Sequence, residues 1–169
     1  MRSILTTILS FGLAACAATQ SSNDQRARSE SVASAGRVSR FDVMIRRLAT
    51  LEGEFTSDWD FSGDKTILRS IGALSDSGAV ADTAVRYLAE CIGRTEPAHA
   101  TFRGRAIPLG VVCYAALRHL AYHEEADSTG HLTPYWPGFI DNPGVTPGQL
   151  AAARRAWLKA AREGLYHTL

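Results

Sequence analysis

The segment from Leu109 to Leu120 constrains the fold of this chain more than any other stretch of the sequence. Apolar side chains recur there at positions i, i+3, i+4, i+7, i+8 and i+11, which is the spacing of one continuous helical face. The face consists of Leu109, Val112, Cys113, Ala116, Leu117 and Leu120. An isolated helix of this length is marginal in water, so the segment predicts a helix packed inside a folded domain.

Four further segments show the helical spacing of apolar residues. They cover residues 38–52, 64–74, 81–92 and 146–165. The last begins with Thr146, Pro147 and Gln149, which predict a capping box with proline in the first turn. The sequence therefore predicts an all-α fold, a compact bundle of about five helices. The stretch "ATFRGRAIPLG" at 100–110 has a glycine between short β-prone pieces and is interpreted as one short β-hairpin or an extended loop.

The stretch "ILRSIGALSDSGAVADTAVRYLAECIG" at 67–93 contains a helical pattern, a turn with an aspartate and a second helical pattern. This order resembles a HEAT repeat, which implies HEAT-like pairing of two helices. No second copy follows at a fixed period, and a solenoid needs about three repeats. The resemblance therefore implies a helical pair in the middle of the domain and not a complete array.

The N-terminus has the layout of a secretory signal, with Arg2, a short apolar stretch over 4–13 and small residues before a cysteine. Leu13-Ala14-Ala15-Cys16 resembles the lipobox of bacterial lipoproteins. The resemblance implies cleavage before Cys16 and acylation of that residue, which would anchor the protein to a membrane. The alternative is an ordinary signal peptide that is cut near Ala15 or Ala18.

This resemblance divides the chain into a lipoprotein signal peptide (1–15), a lipidated cysteine with a flexible tether (16–36) and a single helical domain (37–169). The tether is rich in Ser, Ala and Gln and has no aromatic residue. Ala17 follows the cysteine. In Gram-negative lipoproteins an aspartate there often means retention in the inner membrane. The expected location is therefore the periplasmic face of the outer membrane.

Charge and motif content restrict the function classes. Lys and Arg together number 18, and Asp and Glu number 17, so the chain has no general attraction for nucleic acid. The sequence contains no Gly-x-Ser-x-Gly elbow, no phosphate-binding glycine loop and no dinucleotide fingerprint. We therefore expect a non-enzymatic protein without a cofactor.

Two cysteines lie in predicted helices of the domain. Cys113 belongs to the apolar face at 109–120, and Cys91 lies beside Leu88 in the preceding helix. If the two helices pack antiparallel in an exported protein, the cysteines come into bridging range. We predict a Cys91–Cys113 disulfide. The alternative is two buried free thiols.

Two groups of residues have the chemistry of metal ligands. His119 and His123 are four residues apart on a predicted helix, and Glu124 is adjacent, but the glutamate that zinc proteases place after the first histidine is absent. "DWDFSGD" at 58–64 resembles the opening of an EF-hand loop, yet position 12 is Arg69. We predict no metal site. The second stretch is interpreted as an acidic surface loop, in which Asp58 and Asp60 are candidates for contact with a basic partner.

Residues 125–145 form a long predicted connection that contains "PYWPGF". Connections of this length are usually functional or packed by their own aromatic residues. Tyr135, Trp136 and Phe139 therefore either close the core or bind a partner.

These observations predict a membrane-anchored periplasmic lipoprotein that acts as a protein-binding or envelope-interaction module. An inhibitor or immunity protein is one specific form of such a module. The alternative is a periplasmic metal-dependent hydrolase that uses His119, His123 and Glu124.

Overall fold

The computed structural model describes residues 40–126, 132–135 and 138–169, and these residues belong to one compact unit that spans Arg40–Leu169. Helices and short strands follow one another along this unit. The helices are α1 (40–49), α2 (Thr66–Gly72), α3 (Ala79–Cys91), α4 (Leu109–Arg118) and α5 (Pro147–Glu163), with a 3-10 turn at Ser75–Ser77. The strands are β1 (Glu54–Phe55), β2 (Pro97–Phe102), β3 (Arg105–Pro108), β4 (Ala121–Ala126), β5 (Leu132–Tyr135) and β6 (His167–Thr168).

The predicted all-α fold class is wrong, because the strands form two small sheets beside the helices. One sheet has the order β1-β2-β3 and the other the order β5-β4-β6. The fold is therefore mixed α/β. The shortest strands, β1 and β6, contain two residues each, which is too short for a period of two to be visible in the sequence.

The sequence allowed a short hairpin or an extended loop at 100–110, and the structure has the hairpin, which lies in the first sheet. β2 pairs antiparallel with β3, and Phe102 lies opposite Arg105. Arg103 and Gly104 connect the two strands with φ values of 52° and 70°. Positive φ at both central residues is the signature of a type I′ turn, whose twist matches that of paired strands. β1 joins this hairpin as a parallel neighbour of β2, with Phe55 opposite Phe102.

The second sheet occupies segments that the sequence predicted as the end of a helix and as a loop. α4 ends at Arg118, and β4 begins at Ala121. Leu120 is fully buried, although it lies outside the helix. β4 pairs antiparallel with β5 and, on its other side, with β6. Part of the connection predicted at 125–145 is therefore regular structure.

Helix α4 forms the centre of the core, as its apolar face predicted. All residues from Leu109 to Leu117 are buried. α3 packs on α4 and α5, and α2 packs chiefly on α4. The helix, turn and helix predicted within 67–93 are present. The predicted all-helical bundle of HEAT-like pairs is not, because strands of both sheets also pack on α4.

The predicted Cys91–Cys113 pairing is confirmed at the level of distance. The two cysteines are joined as a disulfide, and their Cα atoms are 5.8 Å apart. This separation lies within the usual range for bridged cysteines. The bond ties the end of α3 to the middle of α4.

The predicted capping box of α5 is also confirmed. The Thr146 hydroxyl accepts a hydrogen bond from the Gln149 amide, and the Gln149 side chain accepts one from the Thr146 amide. Trp157 of this helix is fully buried. Gly164 ends α5 in the left-handed conformation with φ 67°.

The N-terminal predictions lie outside the described residues and stay predictions. They are the signal peptide (1–15), lipidation of Cys16 and the tether (16–36). Across 40–126, 132–135 and 138–169, no helix combines the length and apolar character required to cross a bilayer.

Candidate partner-binding surface

Two strained turns lie side by side at one end of the first sheet. Trp59 and Arg103 are the only non-glycine residues in the described part of the chain with positive φ, at 68° and 52°. A left-handed conformation costs an L-residue about 1–2 kcal/mol. β1 and β2 are parallel, so the turns that follow them, at 56–60 and 102–105, lie at the same end of the sheet. Strain of this kind concentrates at functional sites, which makes this end of the sheet the leading candidate site.

The turn at 56–60 is closed by its own backbone. The Thr56 amide donates to the Asp60 carbonyl at 2.8 Å, and the Trp59 amide donates to the Thr56 carbonyl at 3.2 Å. Below the turn, Phe55 and Phe61 form an isolated antiparallel bridge. This is a tight hairpin loop in which Trp59 occupies the left-handed position that glycine usually takes.

Side-chain contacts of Trp59 offset the strain of its backbone. Its ring lies 5.3 Å from the ring of Tyr114 and 6.3 Å from that of Phe55. The guanidinium of Arg118 lies 5.1 Å from the centre of the Trp59 ring, a cation–π contact. Burial lowers the pKa of Arg118. The turn is therefore fixed to the core through one aromatic side chain.

The same indole connects the turn to the segment at 139–145. Trp59 Nε1 donates a hydrogen bond to the Asp141 carbonyl at 3.2 Å. Beside it, the Ile140 amide donates to the hydroxyl of the fully buried Tyr114 at 3.3 Å. Ile140 is buried, whereas its neighbour Phe139 keeps 54% of its surface exposed. The backbone around Phe139 is thus held in place while its ring faces solvent.

We name the turn at 56–60, the turn at 102–105 and the segment at 139–145 the turn surface. Asp58 and Asp60 are exposed on the first turn, and Asp141 is exposed on the segment that Trp59 contacts. The structure therefore brings together three of the predicted partner-binding residues, Asp58, Asp60 and Phe139. Asp141 joins them and was missed, because nothing local in the sequence indicates its contact with Trp59.

Arg103 and its neighbours form the basic side of the turn surface. The Arg103 guanidinium lies 5.1 Å from the centre of the Phe102 ring. The Gly104 amide donates to Glu54 Oε1 at 3.0 Å and so connects the hairpin to β1. A groove of about 330 Å³ runs between the two turns, with Phe55 and Phe102 among its lining residues. The sequence suggested a turn here, but it did not single out Arg103 as a site residue.

The other two aromatic candidates are Tyr135 and Trp136. Tyr135 ends β5 and pairs with His123 in the β4–β5 ladder. Trp136 lies outside the described residues.

The histidine candidates do not share a helical face. His119 caps the end of α4, whereas His123 lies in β4, so the predicted i, i+4 relation is wrong. The pKa of His119 is lowered, chiefly because the imidazole is partly buried and to a smaller extent because Arg118 and Lys65 are positively charged. Glu124 lies opposite Pro134 in the β4–β5 ladder.

Asp64, the last residue of the loop at 58–64, contacts the first residue of α2. Asp64 Oδ1 accepts hydrogen bonds from the Thr66 amide at 2.9 Å and from the Thr66 hydroxyl at 2.6 Å, which supports the start of α2. These hydrogen bonds lower the pKa of Asp64. Across the part of the chain that the structure describes, no three His, Cys, Asp or Glu side chains are grouped to hold a metal ion.

Comparison with known proteins gave no relatives: no family model, no curated protein and no solved structure matches this chain.

Proposed function

We propose that this protein is a membrane-anchored periplasmic lipoprotein whose turn surface binds a protein partner in the cell envelope. The observation that carries the proposal is the hydrogen bond from Trp59 Nε1 to the Asp141 carbonyl. It joins two segments that lie far apart in the sequence and that each held predicted partner-binding residues.

The composition of the turn surface favours recognition of a protein. Phe139 is an exposed aromatic residue, and the carboxylates of Asp58, Asp60 and Asp141 on the same turn surface are exposed as well. Interfaces commonly place an aromatic side chain in a pocket of the partner and surround it with polar contacts. The partner that fits has an apolar pocket for Phe139 and basic side chains opposite Asp58 and Asp60.

The contacts that hold the turn surface support the same proposal. A loop that is already ordered loses less conformational entropy on binding, so more of the contact free energy remains as affinity. Trp59 and Tyr114 hold both segments through hydrogen bonds and ring contacts.

The proposed anchor rests on the resemblance of Leu13-Ala14-Ala15-Cys16 to a lipobox. A tether of about 20 residues has a root-mean-square reach of roughly 25 Å, which would keep the domain close to the membrane. A binding surface at this distance from the membrane suits an inhibitor or immunity protein that acts on a toxin in the periplasm. The anchor is tested by replacing Cys16 with serine: we expect loss of acyl labelling and release from the membrane fraction. Unchanged labelling would contradict it.

Photo-crosslinking tests the proposed binding surface. The full-length protein is expressed in its own host with a benzophenone amino acid at Phe139 or, as a matched control, at Val80, an exposed apolar residue on α3. We expect a discrete crosslinked species from position 139 and none of the same size from position 80. The reversal of both charges, Asp58→Lys with Asp60→Lys, should abolish that species.

The proposal fails if position 139 gives no crosslinked species, or the same species as position 80. It also fails if the charge reversal has no effect while circular dichroism shows that the variant is folded.

A further inference from the structure

The basic side of the turn surface borders a second groove, which lies along the free edge of β3. We propose that this groove binds an extended segment of the partner protein that carries a carboxylate and an apolar side chain two residues apart. This inference rests on the proposed function, because it names the chemistry of the segment that the partner presents.

The hydrogen-bond pattern of the hairpin leaves backbone groups available at this edge. β3 is the outer strand of the first sheet as far as the described residues extend. Phe102 and Arg105 flank the two-residue turn and therefore form a hydrogen-bonded pair. The next pair, Thr101 with Ala106, is then not hydrogen-bonded.

The contacts of Thr101 agree with this alternation. Its amide donates at 2.9 Å to the Gly53 carbonyl, on the side of the sheet where β1 lies. By the same alternation, the amide and carbonyl of Ala106 point away from β2, toward the groove that Ala106 helps to line. An added strand can pair with these two groups. Pro108 has no amide hydrogen, so the paired region is short.

The groove beside this edge has both basic and apolar lining residues. Its volume is about 490 Å³, and its lining includes Phe102 and Ile107 on one side and Val145 on the other. Gly144 packs closely against Phe102, since a Cβ atom at this position would lie 3.0 Å from the ring. The segment at 143–145 therefore forms the second wall of a groove that can hold an extended chain.

Charge and strand geometry determine which segment fits. Arg103 and Arg105 are exposed, and no carboxylate within the described residues lies in ion-pair distance of either. Arg105 and Ile107 are two residues apart, so they lie on the same face of β3. A paired strand places its residues on that face with the same spacing. It would set a carboxylate opposite Arg105 and an apolar side chain opposite Ile107.

The test uses three synthetic heptapeptides with blocked ends and no natural partner. The first is Thr-Val-Thr-Glu-Thr-Val-Thr, in which valine lies two residues from the glutamate on both sides, so that either strand direction is possible. The second has lysine in place of the glutamate. The third, Thr-Val-Glu-Thr-Thr-Val-Thr, has the same composition as the first with the spacing broken. Each peptide is titrated into the ¹⁵N-labelled full-length chain carrying Cys16→Ala.

We expect the first peptide to shift the backbone amide signals of Arg105, Ala106 and Gly144 and to bind at least about tenfold more tightly than the other two. Arg105→Glu should reverse the preference in favour of the lysine peptide. Arg155→Glu on the exposed face of α5 is the matched control and should leave the preference unchanged.

Three outcomes would overturn the inference: no amide shifts at millimolar peptide, equal binding of all three peptides, or an unchanged preference in Arg105→Glu. None of them depends on the crosslinking at Phe139. A failure of this inference can therefore be told apart from a failure of the proposed function.

Discussion

The α3–α4 pair and the turn surface belong to the same compact unit and differ in burial, charge and backbone conformation. In α4, the residues from Leu109 to Leu117 are all buried, and a disulfide ties the helix to α3. The turn surface exposes Phe139 and several charges and contains both left-handed non-glycine residues of the described chain. The first region is organised for packing. The second keeps an apolar ring in water and two residues in the left-handed conformation, both at a cost in stability, which suits recognition.

Truncation of one apolar side chain in each region gives the sharpest contrast. Leu117 is fully buried, so Leu117→Ala should lower the free energy of unfolding by about 2–5 kcal/mol through lost contacts and a cavity. Phe139→Ala removes an exposed ring and should change the free energy of unfolding by no more than about 0.5 kcal/mol. Urea denaturation of the two variants measures both effects. Similar losses would contradict the division between packing and recognition.

Removal of the disulfide tests how much of the stability of the first region depends on it. The Cys91→Ala, Cys113→Ala double variant should lose about 3 kcal/mol, because the bond closes a loop with a sequence separation of 22 residues. Denatured, unreduced protein carrying Cys16→Ala should show no thiol in an Ellman assay. If both thiols react, the bridge is absent from the isolated protein, and the double variant should then lose only the packing contacts of two buried sulfur atoms.

In the turn surface, the Trp59 indole is the contact whose loss should matter most. Trp59→Phe keeps a ring beside Tyr114 but removes the hydrogen bond to the Asp141 carbonyl. We expect a loss of about 1 kcal/mol in unfolding free energy. Hydrogen exchange at the Ile140 amide should become faster, because the segment beside it is less restrained. The Leu117→Ala variant is the control. Compared at a urea concentration that gives both variants the same free energy of unfolding, it should show no faster hydrogen exchange at the Ile140 amide than the parent protein.

The sequence predicted the first region well and the second only in part. α4 was recognised because a long apolar face repeats with a helical period, and the cysteine pair followed from two neighbouring helices. The same period predicted the wrong end for this helix. Leu120 has the spacing of the apolar face, but the helix ends at Arg118. β1 and β6 contain two residues each, and no periodicity exists at that length.

The candidate site was harder to predict, because contacts between distant segments create it. Asp58, Asp60 and Phe139 were found from composition and loop length. Their proximity depends on a hydrogen bond between residues 82 positions apart in the chain. The left-handed backbone at Trp59 has no local signal either, since such positions usually carry glycine, asparagine or aspartate.

The last expected effect is confined to high pH and concerns Tyr166, which holds the C-terminal residues against α3 by donating a hydrogen bond to Asp82. Burial, with the Asp82 carboxylate as a further cause, raises the pKa of Tyr166 to about 12. The ordinary pKa of a tyrosine is about 10, so the folded state binds this proton more tightly than the unfolded state. The resulting stabilisation is fully present below pH about 10 and is lost as the pH rises through about 12.

Absorbance at 295 nm, measured for the parent and for Tyr166→Phe, should differ by one titration with a midpoint near pH 12. Asp82→Asn should lower that midpoint, because it removes the negative charge beside the phenol. A midpoint near pH 10 in the parent would instead mean that the C-terminal residues are not held against α3, and that the packed region ends before Tyr166.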